Sequence, residues 1–462
     1  MKTKLAAATA LSTALLIGAA FAQDGARDSA SEAEGQAFTA TLAGQAILPA
    51  DTTVAAPDDA PEHLRQAGKF STPDRRRTTE LGAAQGRDGV RPTGFGLPVD
   101  GQSVQGFSGI KAMADGTFWS LSDNGFGNKL NSSDAALMLH RMSFDWESGE
   151  AERQETIFLS DPNRITPFPI VLEGSETRYL TGSDFDVESI QPVADGFWIG
   201  EEFGPYLLKF DTQGQLLAAF ETHVGETLVR SPDHPALTVP ANPTAAMPDF
   251  NLKRSGGFEG LALSPDGAHL YAMLEGPIYT DGAVETVEDG RTGLRVIEFD
   301  VAGQEWTGRS WLYPLAEGGE AIGDFNMLDA TTALVIERDN GAGRPAQACE
   351  GEPAEDCFAT PALFKRVYKI EMSDENVGEA VRKIGYIDLM EIADPEGLAR
   401  QGGEDGRYDM PFVTIENVDR VDEDHIIVGN DNNFPFSAGR ALDRADDNEF
   451  VLLEVGDFLR AE

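Results

Sequence analysis

Residues 184–204 read DFDVESIQPVADGFWIGEEFG, two short apolar runs split by Asp195-Gly196 and fringed by acids. Asp-Gly between alternating apolar runs is a strong hairpin signal. Such a hairpin buries one face and has no evident use for so many carboxylates. The same unit recurs along the chain. First strands read GFSGIKAM (106–113), DVESIQPV (186–193), GFEGLALS (257–264), AIGDFNML (321–328) and TIENVDRV (414–421). Turns follow at Asp115-Gly116, Asp195-Gly196 and Asp266-Gly267, with looser ones at Asp329-Ala330 and Glu423-Asp424. Second strands come next (TFWSLSDNG, GFWIGEEFG, HLYAMLEGP, TALVIERDN, HIIVGNDNN), then a third, and a fourth in most copies.

Four antiparallel strands repeated radially make an all-β chain a β-propeller. The last copy stops after its third strand, and the run AFTATLAGQAIL (37–48) is placed to supply the fourth and close the ring. Five repeats are visible; the expectation is six blades, with a degenerate sixth drawn from residues 37–100.

In register, the acids fall into two columns. One slot of the first strand holds Ser108, Glu188, Glu259, Gly323 and Glu416. A slot near the end of the second holds Asp123, Glu202, Glu275, Glu337 and Asn430 or Asp431, at separations of 15, 14, 16, 14 and 14 or 15 residues. A hairpin reverses the chain, so the start of one strand and the end of the next meet at one end of the blade. Both columns should therefore converge on one mouth of the central channel, the face that also receives the long insertions. Asp184 and Asp186 lack counterparts in every unit, and Glu201 has no consistent equivalent.

Converging carboxylates repel unless protons, basic residues or a cation offset them. An all-oxygen donor set suits a hard cation, calcium first and magnesium second. The expected metal ligands are Glu188, Glu202, Glu259, Glu275, Glu337, Asp123, Glu416 and Asp431, with Glu188 or Glu259 acting on the attacking water and Arg338 and Lys253 holding oxyanions. Arg254 and Arg440 are further basic groups expected near this face. Ser108-x-x-Lys111 lies on a strand without companion motifs and is read as coincidence; the six His show no metal spacing. Trp119, Trp198 and Tyr271 repeat at one slot and are read as packing between blades.

The formal charge of −42, from 36 basic and 78 acidic residues, argues against nucleic acid and anionic lipid as partners. The opening MKTKLAAATALSTALLIGAAFA has the pattern of a signal peptide over 1–22, with cleavage expected near Ala22, which predicts a periplasmic or secreted protein with no membrane insertion. Residues 23–36 are expected to be a disordered leader, 37–462 a single propeller domain and the protein a monomer. In an exported chain Cys349 and Cys357 are expected to form an intrachain disulfide.

The stretches GFSGIKAMADGTFWSLSDNGFG, DFDVESIQPVADGFWIGEEFGPYLLKFD and GFEGLALSPDGAHLYAMLEGP together resemble the exported phytase-like family, described by the esterase-like activity of phytase. The likeness covers most of residues 37–456. It implies a β-propeller whose recurrent acids, here Glu188, Glu202, Glu259, Glu275 and Glu337, are suspected of phosphoester chemistry. The leading expectation is an exported, metal-dependent hydrolase of small-molecule phosphoesters. Two alternatives stay open: a calcium-dependent lactonase or organophosphate hydrolase, and a non-catalytic propeller that binds a cation or ligand.

Overall fold

A computed structural model describes residues 34–72, 75–77 and 79–462. The expected signal peptide and most of the expected leader lie outside the described residues. The leader's last residues are in the fold: the Tyr368 hydroxyl donates to Glu34 Oε2 at 2.7 Å, and Gln36–Phe38 pairs in parallel with Arg382–Asp388.

Each blade has four antiparallel strands, and a parallel pairing at Glu150↔Ile47 joins the first blade to the fifth. The first blade is Phe107–Ala112, Phe118–Ser122, Met138–Asp145 and Glu150–Phe158. The second is Val187–Val193, Gly196–Glu201, Tyr206–Asp211 and Leu216–Glu221. The third is Phe258–Leu263, His269–Leu274, Gly293–Asp300 and Glu305–Pro314. The fourth is Ala321–Met327, Thr332–Arg338, Lys365–Glu371 and Arg382–Asp388. The fifth takes Thr414–Arg420, His425–Asp431 and Asn448–Glu454 from the C-terminal end and Thr41–Leu48 from the N-terminal end. The expected closure is therefore present, with seven paired positions from Thr41↔Glu454 to Leu48↔Asn448.

The first strands of the five blades contact one another in order, and the fifth returns to the first. That ring is already closed, so the sixth blade expected from residues 37–100 has no place in it. Apart from the closing strand, this segment makes short ribbons: Thr53–Val54 with Gln102–Ser103, Gln66–Ala67 with Val99–Asp100, and Phe70–Thr72 with Arg75–Arg76. The physical reason is visible in residues 49–105, where frequent Pro, Gly and charged residues interrupt any run long enough to span a blade.

The tight turns behave as their chemistry requires. At Asp115-Gly116, Gly116 has φ +82° and Asp115 Oδ1 accepts from the Thr117 amide at 3.1 Å. Apolar faces of neighbouring blades pack into the core, with aromatic pairs across the seams: Trp119–Phe197 at 5.0 Å and Trp198–Phe299 at 5.5 Å. These repeated aromatics are packing groups, each pair contributing about 0.5–1.5 kcal/mol beyond area burial.

Polar side chains lash the inner strands across the channel. Asp324 accepts from the amides of Val418 at 2.9 Å and Phe325 at 2.7 Å, and Asn326 Nδ2 donates to the Val418 carbonyl at 2.8 Å. Gln191 Nε2 bonds both the Leu261 carbonyl at 2.6 Å and Asn326 Oδ1 at 2.8 Å. The disulfide Cys349–Cys357 pins a loop of the fourth blade's long insertion. Among the described residues no helix is long and apolar enough to cross a membrane.

Candidate active site at the acidic channel mouth

A shift in strand register aims the acids. Val187 pairs with Glu201 and Ser189 with Gly200, so Glu188 is an extra, unpaired residue. Glu259 is skipped in the same way between Phe258 and Gly260, and Glu416 between Ile415 and Asn417. A β-bulge takes one residue out of the ladder and re-aims its side chain. All three glutamates thereby line the channel mouth. The fourth blade skips Gly323 and Asp324, and a Cβ on Gly323 would sit 2.0 Å from the Ile415 carbonyl, so no side chain fits in that slot.

The second column needs a correction of one residue. The partners of Phe107, Val187, Phe258, Ile322 and Ile415 are Ser122, Glu201, Leu274, Glu337 and Asn430. The groups that line the mouth come one step later: Asp123, Glu202, Glu275, Arg338 and Asp431. Neighbouring residues on a strand face opposite sides, so Glu337 points away. It accepts from the Tyr313 hydroxyl at 2.5 Å, the Ala316 amide at 2.6 Å and Lys383 Nζ at 2.7 Å. Glu337 is a buried structural group and not a ligand at this site. Its counterpart Glu201 accepts from the amides of Phe203, Gly204 and Tyr206 at 2.7–2.8 Å.

The other expected residues are brought together. Eight carboxylates (Asp123, Asp186, Glu188, Glu202, Glu259, Glu275, Glu416 and Asp431) and four basic side chains (Arg87, Lys253, Arg254 and Arg338) line a cavity of about 300 Å³. On one side, oxygens of Asp186, Glu188 and Glu202 all lie within 4.8 Å of one another. Asn124 Nδ2 donates to Asp186 Oδ1 at 2.7 Å and orients that carboxylate. On the other side, Arg338 Nη2 donates to Glu275 Oε1 at 3.3 Å and Glu416 Oε1 at 3.2 Å. Lys253 Nζ stands 2.8 Å from Glu275 Oε2, and the Ser108 hydroxyl donates to Glu416 Oε2 at 3.0 Å. Glu202 Oε1 and Glu259 Oε1 are buried without a hydrogen-bond partner.

Burial is the largest cause of raised proton affinity among these acids, and repulsion between neighbours adds to it. The Asp186 carboxyl is pushed up to about 6, mainly by burial. Asp431 is pushed up to about 8, by burial and then by Glu416. Burial also lifts Asp123, Glu188, Glu202 and Glu259 well above the carboxylate range; the largest added repulsion comes from Asp431, Asp186, Glu275 and Glu416 respectively. For Arg338 burial works against the charge, but Glu416 and Glu275 outweigh it and the guanidinium is held more firmly charged. An all-oxygen cluster in which Glu202 Oε1 is unsatisfied suits a hard divalent cation, and Asp186, Glu188 and Glu202 would hold it.

The model of one protein family, phytase-like, described as the esterase-like activity of phytase, matches residues 102–434. The chain belongs to the phytase-like family. A secreted, uncharacterized protein of Arthroderma benhamiae is 27% identical over 226 residues, a stretch that spans 44% of the phytase-like chain and 44% of that relative. Less than half of the relative is thus covered. Among solved structures, a GH43 β1,3-galactosidase with galactodeoxynojirimycin has a TM-score of 0.38 at 12% identity, covering 77% of this chain and 91% of that one. A luciferin-regenerating enzyme has a TM-score of 0.30 at 11% identity, covering 76% and 93%. Both structural likenesses are weak.

Of the mouth residues of this phytase-like propeller, sequence reasoning passes over Asp186 and Arg87. Asp186 and Glu188 are two residues apart in DVES, the spacing that puts both on one face of an extended strand, and that signal was available. Arg87 lies in AAQGRDGVRP, outside every repeat, where no periodicity marks it. Arg254 lines the mouth but is paired with Asp233, and Arg440 is engaged by Glu449, Tyr408 and Asp409 away from it. Lys111 bonds Asn326 and Asp419, so Ser108 and Lys111 serve separate networks.

Proposed function

We propose that this phytase-like propeller is an exported hydrolase of small-molecule phosphoesters whose activity depends on a divalent cation, with calcium favoured. The observation that carries the reading is the Asp186–Glu188–Glu202 cluster lining one small cavity together with Arg338 and Lys253. Carboxylates alone would repel a phosphate; carboxylates that hold a cation, opposed by basic groups, attract one. A cation bound there supplies Lewis-acid polarisation of a phosphoryl oxygen.

The chain's own residues account for the rest. Arg338, clamped by two carboxylates, presents a fixed charge to the phosphoryl oxygens, and Lys253 adds a second from the cavity rim. Glu259 is the candidate general base. Its Oε1 has no hydrogen-bond partner, it lines the cavity, and burial with Glu416 beside it raises its affinity for a proton. Water adds to phosphorus as the ester P–O bond breaks; the water proton passes to Glu259 and is later released to the leaving oxygen or solvent.

The test is turnover of p-nitrophenyl phosphate and its bis-ester by the protein lacking residues 1–22, in calcium and in EDTA. Calcium-dependent turnover is expected, and Glu259→Gln should lower kcat by about 10²–10⁴. No turnover of either ester, or full activity in the variant, would contradict the reading. Turnover of lactones alone would transfer the site to the lactonase class, and calcium binding without turnover of any ester or lactone to a binding role.

A further inference from the structure

One basic group at the mouth makes no direct ion pair, although Asp431 and Glu416 lie near enough to favour its charge. Lys253 pairs with Glu275, Arg254 with Asp233, and Arg338 with Glu275 and Glu416. Among the described residues the Arg87 side chain donates only to the neutral Asn433 Oδ1, at 3.5 Å. In a chain with 78 acidic and 36 basic residues, an arginine at an acid-rich cavity yet without a carboxylate partner calls for a reason.

The backbone that carries this exposed side chain is held in place. Residues 84–93 form a turn in which the amides of Val90 and Arg91 donate to Asp88 Oδ1 at 3.0 and 3.1 Å. The Arg91 guanidinium, buried, donates to Asp88 Oδ2 at 2.5 Å and the Ala438 carbonyl at 2.8 Å, and its centre lies 4.5 Å from the Phe358 ring centroid. The Arg87 amide donates to the Phe436 carbonyl at 3.1 Å. The turn is thus bolted to the fourth and fifth blades, and it sets Arg87 on a cavity wall shared with Arg338. A second observation points to a ligand: Arg338 is nine-tenths buried and its Nε has no acceptor. Both guanidiniums keep N–H groups without an acceptor on one cavity, and the planar N–H fork matches phosphate geometry.

We propose that Arg87 and Arg338 form a two-guanidinium clamp for a phosphoryl oxyanion at the mouth, Arg87 being delivered by a turn that belongs to no blade. The proposal deepens the phosphoester reading and rests on it for the identity of the anion. It assigns part of the substrate recognition to the segment between the closing strand and the first blade.

The test is calorimetric titration of inorganic phosphate into the intact chain at calcium too dilute to precipitate it, with Arg87→Lys and Arg87→Ala beside the wild type. Arg87→Ala should weaken phosphate binding about tenfold or more, and Arg87→Lys less, because the charge stays while the fork is lost. In turnover, KM for p-nitrophenyl phosphate should rise by more than kcat falls. Circular dichroism checks folding; if Arg87→Ala does not fold, Arg87→Lys decides alone. Unchanged phosphate affinity and KM in a variant that still hydrolyses phosphoesters overturn the clamp and leave the hydrolase reading intact. Arg87-dependent phosphate binding by a protein that hydrolyses nothing supports the clamp while the hydrolase reading falls. Failure of the wild type to bind phosphate overturns the clamp.

Discussion

Glu337 and Arg338 are adjacent, yet one is buried in a hydrogen-bonded socket and the other faces the channel. Glu337→Gln should cost about 3–5 kcal/mol, because it strips the charge partner from Lys383, whose side chain is fully buried beside it. Denaturant unfolding measures the loss; cation affinity should stay unchanged, since no oxygen of the mouth is touched. Weakened cation binding without destabilisation would return Glu337 to the site. The column of Glu188, Glu259 and Glu416 is legible in the sequence because a bulge occurs at the same strand position in each of those blades. The second column is legible only to within one residue. Its separations vary between 14 and 16, and a slip of one residue exchanges the two faces of a strand.

At the scale of elements, strands and turns are legible because period-two alternation and Asp-Gly turns are local signals. Closure by the N-terminal strand is legible too, since the last repeat lacks one strand and a matching run exists. The turn carrying Arg87 is not: its position depends on Arg91 reaching Ala438 and Phe358, contacts across more than 260 residues. A sixth blade is not formed, because the five first strands already close the ring, a long-range contact that neither repeat count nor length encodes. Closure has an energetic consequence. Leu42, on the closing strand, is buried in the core shared by the fourth and fifth blades. Leu42→Ala should destabilise the protein by about 2–5 kcal/mol, read as a lower denaturant midpoint. A variant as stable as the wild type would mean that the closing strand contributes little to the fold.

For the whole molecule, the acidic mouth couples stability to pH and to cations. The folded-state carboxyls of Asp186 and Asp431 sit at about 6 and about 8, above the ordinary aspartate value of 3.8. Between pH 3.8 and 8 the native state therefore holds more protons than the unfolded chain, and stability must fall as pH rises. Turn aspartates such as Asp115 and Asp266, held low by hydrogen bonds from Thr117 and Ser264, act in the opposite sense, and their contribution is complete by about pH 5. In EDTA the melting temperature should decline from about pH 5 to about pH 8.5, and calcium should remove most of the decline by replacing those protons. A melting temperature that climbs over that range in EDTA would refute the assignment of buried, mutually repelling acids.

The most direct test of the cation cluster is calorimetric titration of calcium, at pH 8, into EDTA-stripped protein and its Glu188→Gln, Glu202→Gln and Glu337→Gln variants. Binding to the wild type and the Glu337 variant, with affinity lost or at least about tenfold weaker in the Glu188 and Glu202 variants, is the expected result. Equal affinity in all four proteins, or no binding to the wild type, would contradict it.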